Sequence, residues 1–225
     1  MKQIVFGIFA HPDDEAFGPA ATLCQAVADG AELHLVCVTD GAQGQGTPQQ
    51  RHHEWQAAGQ LIGAQHMHYL GYGDGQLCNN LYHEIAHKII QLIQQSCAAH
   101  ESSQLSLVTF DTNGLTGHLD HIAVSYITTY VFHQLKKSPP AGTQLKELAY
   151  FCYSLQQQPV PDLDYFVYAP AGRSPDFIDR QTQIGPLMQQ KEAIVRAHKS
   201  QEKDVAAYLA RDPQPDTTEN FRVIT

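Results

Sequence analysis

The chain has 225 residues, of which 43% are hydrophobic, and its 14 Lys and Arg against 23 Asp and Glu give a formal charge of −9. That length suits one large α/β domain, or one domain with a small appendage, and is ample for a hydrophobic core. A nucleic-acid partner would favour a basic face, and an anionic membrane surface would favour a Lys/Arg cluster. The acidic balance and the absence of any Lys/Arg run therefore argue against both partners.

The chain also lacks the patterns of a secreted or membrane protein. Its N-terminal apolar run, Ile4–Ala10, is short and is followed at once by a charged cluster, which is not typical of a signal peptide. No apolar run approaches the ~20 residues of a membrane span. The five Cys are odd in number, scattered and without a CxxC motif, which fits small core residues in a reduced environment. We therefore expect a cytoplasmic protein.

The predicted fold is organised around the stretch Ile4–Glu15, IVFGIFAHPDDE. Ile4–Phe9 is apolar on both faces, as in a central strand of a parallel sheet. Four ionisable side chains follow within five residues: His11, Asp13, Asp14 and Glu15. They are costly to desolvate at a buried strand end unless they bind a partner, and a divalent ion is the simplest one. Two alternatives need no ligand: Asp13 or Asp14 could cap the next helix, and His11 could be a satisfied buried imidazole.

Hydrophobic periodicity predicts alternating helices and strands in chain order. After a helix that ends near Gly30, the pattern predicts strand Leu33–Thr39, helix Gln49–Ile62, strand His66–Leu70, helix Leu81–Ala98, strand Leu105–Phe110 and a helix of roughly His121–Leu135. The remaining chain is predicted to contain strand Glu147–Ser154, strand Tyr165–Ala169, helix Ile184–Ser200, helix Asp204–Ala210 and strand Phe221–Ile224. This alternation predicts an α/β fold, a Rossmann-like and mostly parallel sheet flanked by helices. We expect residues 1–225 to form one domain, in which the portion from about 138 completes the sheet and the pocket.

A second ionisable cluster, GHLDH at 117–121, also falls where a predicted strand meets a helix. Because the carboxyl ends of parallel strands open into one crevice, we expect the two clusters to meet there. Two His and one carboxylate with an open position are the ligands of a catalytic zinc site. His118 and His121 are three residues apart and share a face of a helical turn. Asp13 and Asp14 cannot easily ligate one ion together, which leaves one of them to act as a base. The first βα loop has no GxGxxG motif, so a dinucleotide cofactor is not predicted.

AHPDDE at 10–15 and GHLDH about a hundred residues later resemble the motifs of the PIG-L/LmbE-like N-acetylglucosaminyl deacetylases, zinc-dependent amide hydrolases of N-acetyl sugars and their conjugates. The resemblance covers most of the chain. It extends to a Gly-rich loop followed by Arg51 and Glu54, to LGYGDGQL at Leu70–Leu77, and to KEAIVRAHKSQ at Lys191–Gln201.

The resemblance implies a role for each matching residue. The metal ligands would be His11, Asp14 and His121, and Asp13 would be the general base. His118 would stabilise the oxyanion as an imidazolium, and Asp120 would hold His118 in place. Arg51 would bind a sugar or phosphate group of the substrate. The implied cofactor is Zn²⁺, with other divalent ions such as Fe²⁺ left open. The implied partner is a small-molecule N-acetyl sugar, and a homo-oligomer is left open.

Two residues depart from the family pattern. Leu119 stands where the family usually has Pro, and Thr116 stands where some members carry a Tyr that could donate to an oxyanion. The outer wall of the pocket is expected from residues 41–50 and 154–180. Two other functions stay open at this point: a metal-binding relative without catalysis, and a metallo-hydrolase of a different amide or of a phosphoester.

Overall fold

The computed structural model describes residues 1–157, 170–210 and 217–225, which contain one sheet of seven strands. The strands are β1 (Lys2–Phe9), β2 (Glu32–Thr39), β3 (His66–Tyr72), β4 (Ser103–Phe110), β5 (Thr143–Cys152), β6 (Arg180–Gln183) and β7 (Thr218–Ile224). Their order across the sheet is β3-β2-β1-β4-β5-β7-β6, parallel from β3 to β5 and antiparallel at β7 and β6. The mostly parallel sheet confirms the predicted α/β fold.

Helices cover both faces of the sheet. They are α1 (Asp14–Phe17), α2 (Ala20–Ala28), α3 (Pro48–Ile62), α4 (Tyr82–Ala98), α5 (Gly114–Gly117), α6 (Leu119–Lys137), α7 (Met188–Ala197) and α8 (Glu202–Leu209). One apolar core lies between the sheet and α4 with α6, and the other between the sheet and α2, α3 and α7. Strand β1 contributes Ile4, Phe6 and Ile8 to the first core and Phe9 to the second, as expected for a central strand. Across the described ranges, no helix combines the length and apolar character needed to cross a bilayer.

Local sequence signals explain where the best-defined helix begins and ends. Thr47 precedes α3, and its side chain accepts a hydrogen bond from the backbone N–H of Gln50. Pro48 follows in the first turn, where its missing N–H costs nothing. Gly63 ends the helix in the left-handed conformation, with φ of 90°. This helix carries Arg51 towards the carboxyl ends of the strands.

The C-terminal part differs most from the predicted elements. The helix predicted at Ile184–Ser200 spans only Met188–Ala197, because a turn of 3₁₀ helix precedes it and another, Lys199–Gln201, follows it. Strand β6 was not predicted, because its sequence RQTQ is polar and lacks apolar alternation. The strand predicted at Tyr165–Ala169 lies outside the described residues.

A buried ion pair joins the C-terminal part to the first βα unit. The Lys191 ammonium lies 2.6 Å from Glu219 Oε1 and donates a hydrogen bond to the Gly18 carbonyl at 2.6 Å. The Glu219 carboxylate also accepts the backbone N–H groups of Ala21 and Thr22 at the start of α2. Because both charged side chains are buried, each depends on its partner for compensation.

We predict that Lys191→Met destabilises the protein by about 3–5 kcal/mol, because Glu219 keeps a buried charge without its countercharge. The double variant Lys191→Met/Glu219→Gln should recover part of that loss. The urea midpoint of unfolding measures both effects. A matched control is Lys88→Met, which removes an exposed ion pair with Glu84 and should change the midpoint far less. Equal losses for Lys191→Met and Lys88→Met would contradict the prediction.

Candidate metal centre and active site

The two ionisable clusters of the sequence meet at the carboxyl ends of β1 and β4, which are neighbouring strands. His11 Nδ1 lies 3.0 Å from His121 Nε2. The Asp14 carboxylate lies 3.2 Å from His121 Nε2 through Oδ1 and 3.6 Å from His11 Nδ1 through Oδ2. Two ligand atoms bound tetrahedrally to Zn²⁺ at 2.0–2.2 Å are themselves separated by about 3.3–3.6 Å. The spacing of these three buried side chains therefore fits a single ion.

The other ring nitrogen of each imidazole lies close to an oxygen atom of the chain. His11 Nε2 lies 2.9 Å from Asp74 Oδ1 and 3.5 Å from Asp120 Oδ2. His121 Nδ1 lies 3.1 Å from the Gly114 carbonyl oxygen, to which its N–H can donate. Histidines that bind metals usually donate their other N–H to a carboxylate or a carbonyl, which fixes the tautomer and the ring orientation. The partners thus leave His11 Nδ1 and His121 Nε2 to face an ion.

The electrostatics of the group also favour a cation. Burial lowers the pKa of His11, but hydrogen bonds to Asp120, Asp14 and Asp74 outweigh it, so the pKa is raised well above its usual value. Burial raises the pKa of Asp14, but His121 and His11 outweigh it and hold that pKa well below its usual range. Buried carboxylates in this number need positive charge beside them, and the donor set of imidazole and carboxylate suits Zn²⁺ or Fe²⁺.

Asp13 occupies a strained position beside this group. Its φ of 141° is rarely adopted by a residue with a side chain. Its carboxylate accepts a hydrogen bond from Arg51 Nη2 at 2.8 Å, and its backbone N–H donates to Glu15 Oε2 at 3.3 Å. Asp13 precedes α1, but its side chain makes no capping hydrogen bond there, so the capping alternative does not describe it. Burial raises the pKa of Asp13 to about 6 despite the opposing charge of Arg51.

Arg51 lies inside the protein, and 4% of it is exposed. Its guanidinium donates to the Gly41 carbonyl at 2.5 Å and the Pro12 carbonyl at 3.0 Å, besides Asp13. A Cβ added at Gly41 or Gly44 would collide with the guanidinium, which explains the small residues in this loop. Arg51 therefore links the Gly-rich loop to Asp13, and the substrate contact that the resemblance implies for it stays a prediction.

His118 caps α6, because its Nδ1 accepts the backbone N–H of Asp120 at 3.1 Å. Burial, helped by His121 and His11, lowers the pKa of His118 to about 4. A pKa this low favours a neutral ring near pH 7, and the hydrogen bond to Nδ1 then leaves the proton on Nε2. The imidazolium that the resemblance implies stays a prediction. Asp120 holds this ring through its backbone, while its carboxylate accepts the N–H of Gly75 at 2.7 Å and faces His11.

These side chains line a cavity of about 500 Å³. It contains six of the seven predicted site residues: His11, Asp13, Asp14, Arg51, His118 and His121. Asp120 lies behind them. Thr116 lines the cavity, whereas Leu119 is 59% exposed and does not. The outer wall comes from the expected loop, through Gln43 and Gly44, and from α8, which the sequence did not indicate. The second expected segment does not line the cavity in its described parts, 154–157 and 170–180.

Three residues that support the site received no role from the sequence. Asp74, in the Leu70–Leu77 segment, was interpreted only as part of a turn, yet it pairs with His11. Glu15 Oε1 lies 2.9 Å from His198 Nε2, and both side chains are buried. Both segments belonged to the resemblance, which was the available signal, but a pairing between residues so far apart in sequence leaves no periodic pattern.

Comparison with known proteins identifies the family of this chain. The family model described as PIG-L, GlcNAc-PI de-N-acetylase, matches residues 6–132. The chain is 26% identical to the probable N-acetylglucosaminyl-phosphatidylinositol de-N-acetylase of Schizosaccharomyces pombe, over 89% of this chain and 78% of that protein. It is 28% identical to the 1D-myo-inositol 2-acetamido-2-deoxy-alpha-D-glucopyranoside deacetylase of Thermobifida fusca, over 60% of this chain and 56% of that one.

The fold is shared with a solved structure. The N,N'-diacetylchitobiose deacetylase of Pyrococcus horikoshii matches with a TM-score of 0.69 and 18% identity, over 98% of this chain and 83% of that one. At that identity the likeness concerns the fold. The family assignment comes from the sequence match, which covers more than half of the chain and includes both clusters of the site. This chain therefore belongs to the PIG-L family.

Proposed function

We propose that this protein is a metal-dependent hydrolase that removes the N-acetyl group from an N-acetylglucosamine-type sugar or conjugate. The observation that carries the proposal is the convergence of His11, Asp14 and His121 on one point beside Asp13, at a cavity. The names of the matched relatives supply the reaction class. The cavity volume of about 500 Å³ lies within the range of small-molecule sites, which suits a sugar.

The proposed ion is Zn²⁺, with other divalent ions such as Fe²⁺ as substitutes, and its ligands are His11, Asp14 and His121. A bound ion of this kind acidifies a water molecule and polarises an amide carbonyl. His118, His11 and His121 also place their nitrogens close together. We prefer Asp14 as third ligand, because its two oxygens lie 3.2 and 3.6 Å from the two imidazoles. That choice leaves His118 for the substrate.

Asp13 is the proposed general base. Its pKa of about 6 keeps it mostly ionised near neutral pH, yet close to the value that favours proton transfer. Arg51 fixes the direction of its carboxylate. Asp13 takes the proton of the attacking water as the new C–O bond forms at the acetyl carbon. The same proton is then available to the departing nitrogen, so that the C–N bond breaks to give acetate and a free amine.

His118 is the proposed oxyanion donor. Its Nδ1 accepts from Asp120, so the neutral ring carries its proton on Nε2. A neutral N–H donor stabilises the negative charge that develops on the carbonyl oxygen without needing to be charged itself. Thr116 replaces the Tyr of some family members in the cavity wall, which leaves His118 as the proposed donor from this segment.

Acetate release from a panel of N-acetylglucosamine conjugates tests the function. The panel includes N,N'-diacetylchitobiose and the inositol conjugate named for the relatives. We expect release by the Zn²⁺-loaded protein and its loss after chelation. His121→Ala should lose both the bound ion and the activity. A folded, ion-loaded protein that releases no acetate from any conjugate would contradict the proposal, as would full activity in His121→Ala.

A second prediction separates the two neighbouring carboxylates. Asp13→Asn keeps the shape and the bound ion but removes the proton acceptor, so kcat should fall by about two to four orders of magnitude. Asp14→Asn should instead lose the ion, with activity partly restored by excess ion. Elemental analysis measures the bound ion, and steady-state kinetics measure kcat. If Asp13→Asn instead loses the ion while Asp14→Asn keeps the ion and is inactive, then Asp13 is the metal ligand and Asp14 is the base.

A third prediction concerns Arg51, whose contacts favour positioning of the base. Arg51→Ala should lower kcat by roughly one to two orders of magnitude, less than Asp13→Asn, because Asp13 stays in place but loses its direction. Without the charge of Arg51 the pKa of Asp13 also rises, so a smaller fraction of it is ionised near neutral pH. KM should change less than kcat. A large rise in KM with unchanged kcat would instead support the substrate contact implied by the family resemblance. Thermal unfolding of the variant controls for a folding defect.

A further inference from the structure

A second group of metal-ligating side chains lies at the opposite edge of the sheet, where the parallel strands begin. Glu32 and His34 belong to the start of β2, and His66 is the first residue of β3. The ligand atoms that these three side chains offer lie within 4.8 Å of one another. We call them the amino-edge cluster. Because each strand residue spans about 3.3 Å, the length of β2 separates this cluster from the candidate metal centre by roughly 20 Å.

The strands hold this cluster in place. His34 and His66 are partners in the ladder between β2 and β3, and their rings stack with centroids 4.3 Å apart. Glu32 and His34 are two residues apart and share a face of β2. His34 is 2% exposed and stacks on Phe6 of β1, also at 4.3 Å. The strands therefore fix Glu32 and the buried His34. The exposed His66 ring, which is 16° from parallel to the His34 ring, would turn to direct its nitrogen at the same ion.

The distances within the cluster suit one small ion. Glu32 Oε1 lies 3.2 Å from His34 Nε2 and 3.5 Å from His66 Nε2. These are the separations expected between ligand atoms of a tetrahedral zinc site, about 3.3–3.6 Å. His66 is exposed, so an ion and a water ligand can reach the cluster from solvent. The Lys2 ammonium lies 3.8 Å from the other carboxylate oxygen, Oε2, and so leaves Oε1 to the ion.

Further side chains provide the outer partners that metal sites use. His34 Nδ1 lies 3.1 Å from His68 Nε2 and 3.4 Å from Ser96 Oγ. When His34 Nε2 binds an ion, its Nδ1–H can donate to His68, which fixes the tautomer that ligation needs. His100 Nε2 lies 3.2 Å from Glu32 Oε2 and supports the carboxylate from the chain that follows α4.

We propose that Glu32, His34 and His66 form a structural site for a divalent transition ion such as Zn²⁺. Two imidazoles and one carboxylate suit Zn²⁺, Ni²⁺ or Cu²⁺ better than Mg²⁺ or Ca²⁺, which take oxygen ligands. Strand β3 is the last strand on its side of the sheet, and the ion would tie it to β2. This proposal does not depend on the deacetylase function, and it predicts a second bound ion per chain.

The test counts ions bound by the full chain without an affinity tag. Protein stripped with a chelator is titrated with Zn²⁺ and dialysed, and the bound ion is measured by elemental analysis. We expect two ions in the wild type, one in His66→Gln, one in His121→Ala and none in the double variant. Zn²⁺ should also raise the Tm of His121→Ala by a few degrees but not that of the double variant, and Mg²⁺ should not substitute.

A matched control addresses adventitious uptake by surface histidines. His83 and His87 are exposed and one turn apart on α4, so they can chelate an ion without any built site. His87→Gln should keep both ions. Glu32→Gln should lower the affinity for the second ion at least tenfold, as should His66→Gln. Two ions retained in both His66→Gln and Glu32→Gln would overturn the proposal, as would loss of the second ion in His87→Gln. If His121→Ala retains two ions, the assignment of the active-site metal ligands is wrong, and this result is distinct from a failure of the amino-edge cluster.

Discussion

The carboxyl edge of this sheet buries more carboxylate than a protein interior tolerates without nearby positive charge. Asp14, Asp74 and Asp120 all approach His11, and each comes from a different segment. The neighbouring ends of β1 and β4 bring Asp14 and Asp120 together, and the end of β3 brings Asp74 from two strands away. The resulting field raises the pKa of His11 and so favours a cation there. The ion that we propose between His11, Asp14 and His121 follows from this constraint.

Asp13, the proposed base, depends on contacts from distant parts of the chain. Asp13 holds a backbone conformation that costs about 1–3 kcal/mol and that surrounding structure must maintain. Arg51 of α3 binds its carboxylate, and Glu15 accepts its backbone N–H. Glu15 in turn is paired with the buried His198, just after α7. The C-terminal part therefore supports the turn that contains Asp13, in addition to supplying β7 and part of the cavity wall.

The sequence predicted those features that leave a local pattern. The central position of β1 followed from its two apolar faces, and the predicted helix Gln49–Ile62 agrees with α3 to within one residue at its start. The meeting of the two clusters followed from the rule that parallel strands end at one edge. Strand β6 was missed because an edge strand with the sequence RQTQ has no apolar alternation.

Other features depend on pairings between distant elements. Asp74 looked like an ordinary turn residue, and only the folded chain brings it to His11 Nε2. The lowered pKa of His118 could not be predicted either, because it depends on burial and on two neighbouring imidazoles. The amino-edge cluster escaped notice because the chain has 13 scattered His, and only the register of β2 and β3 brings His34 and His66 together.

We propose that the excess carboxylate at the sheet edge holds one ion between His11, Asp14 and His121. Crystals grown with Zn²⁺, with diffraction recorded on both sides of the zinc absorption edge, test it most directly. We expect an anomalous peak about 2.0–2.2 Å from His11 Nδ1, His121 Nε2 and an Asp14 oxygen. A peak among His11 Nε2, Asp74 and Asp120 instead, or no peak at this edge of the sheet, would contradict it.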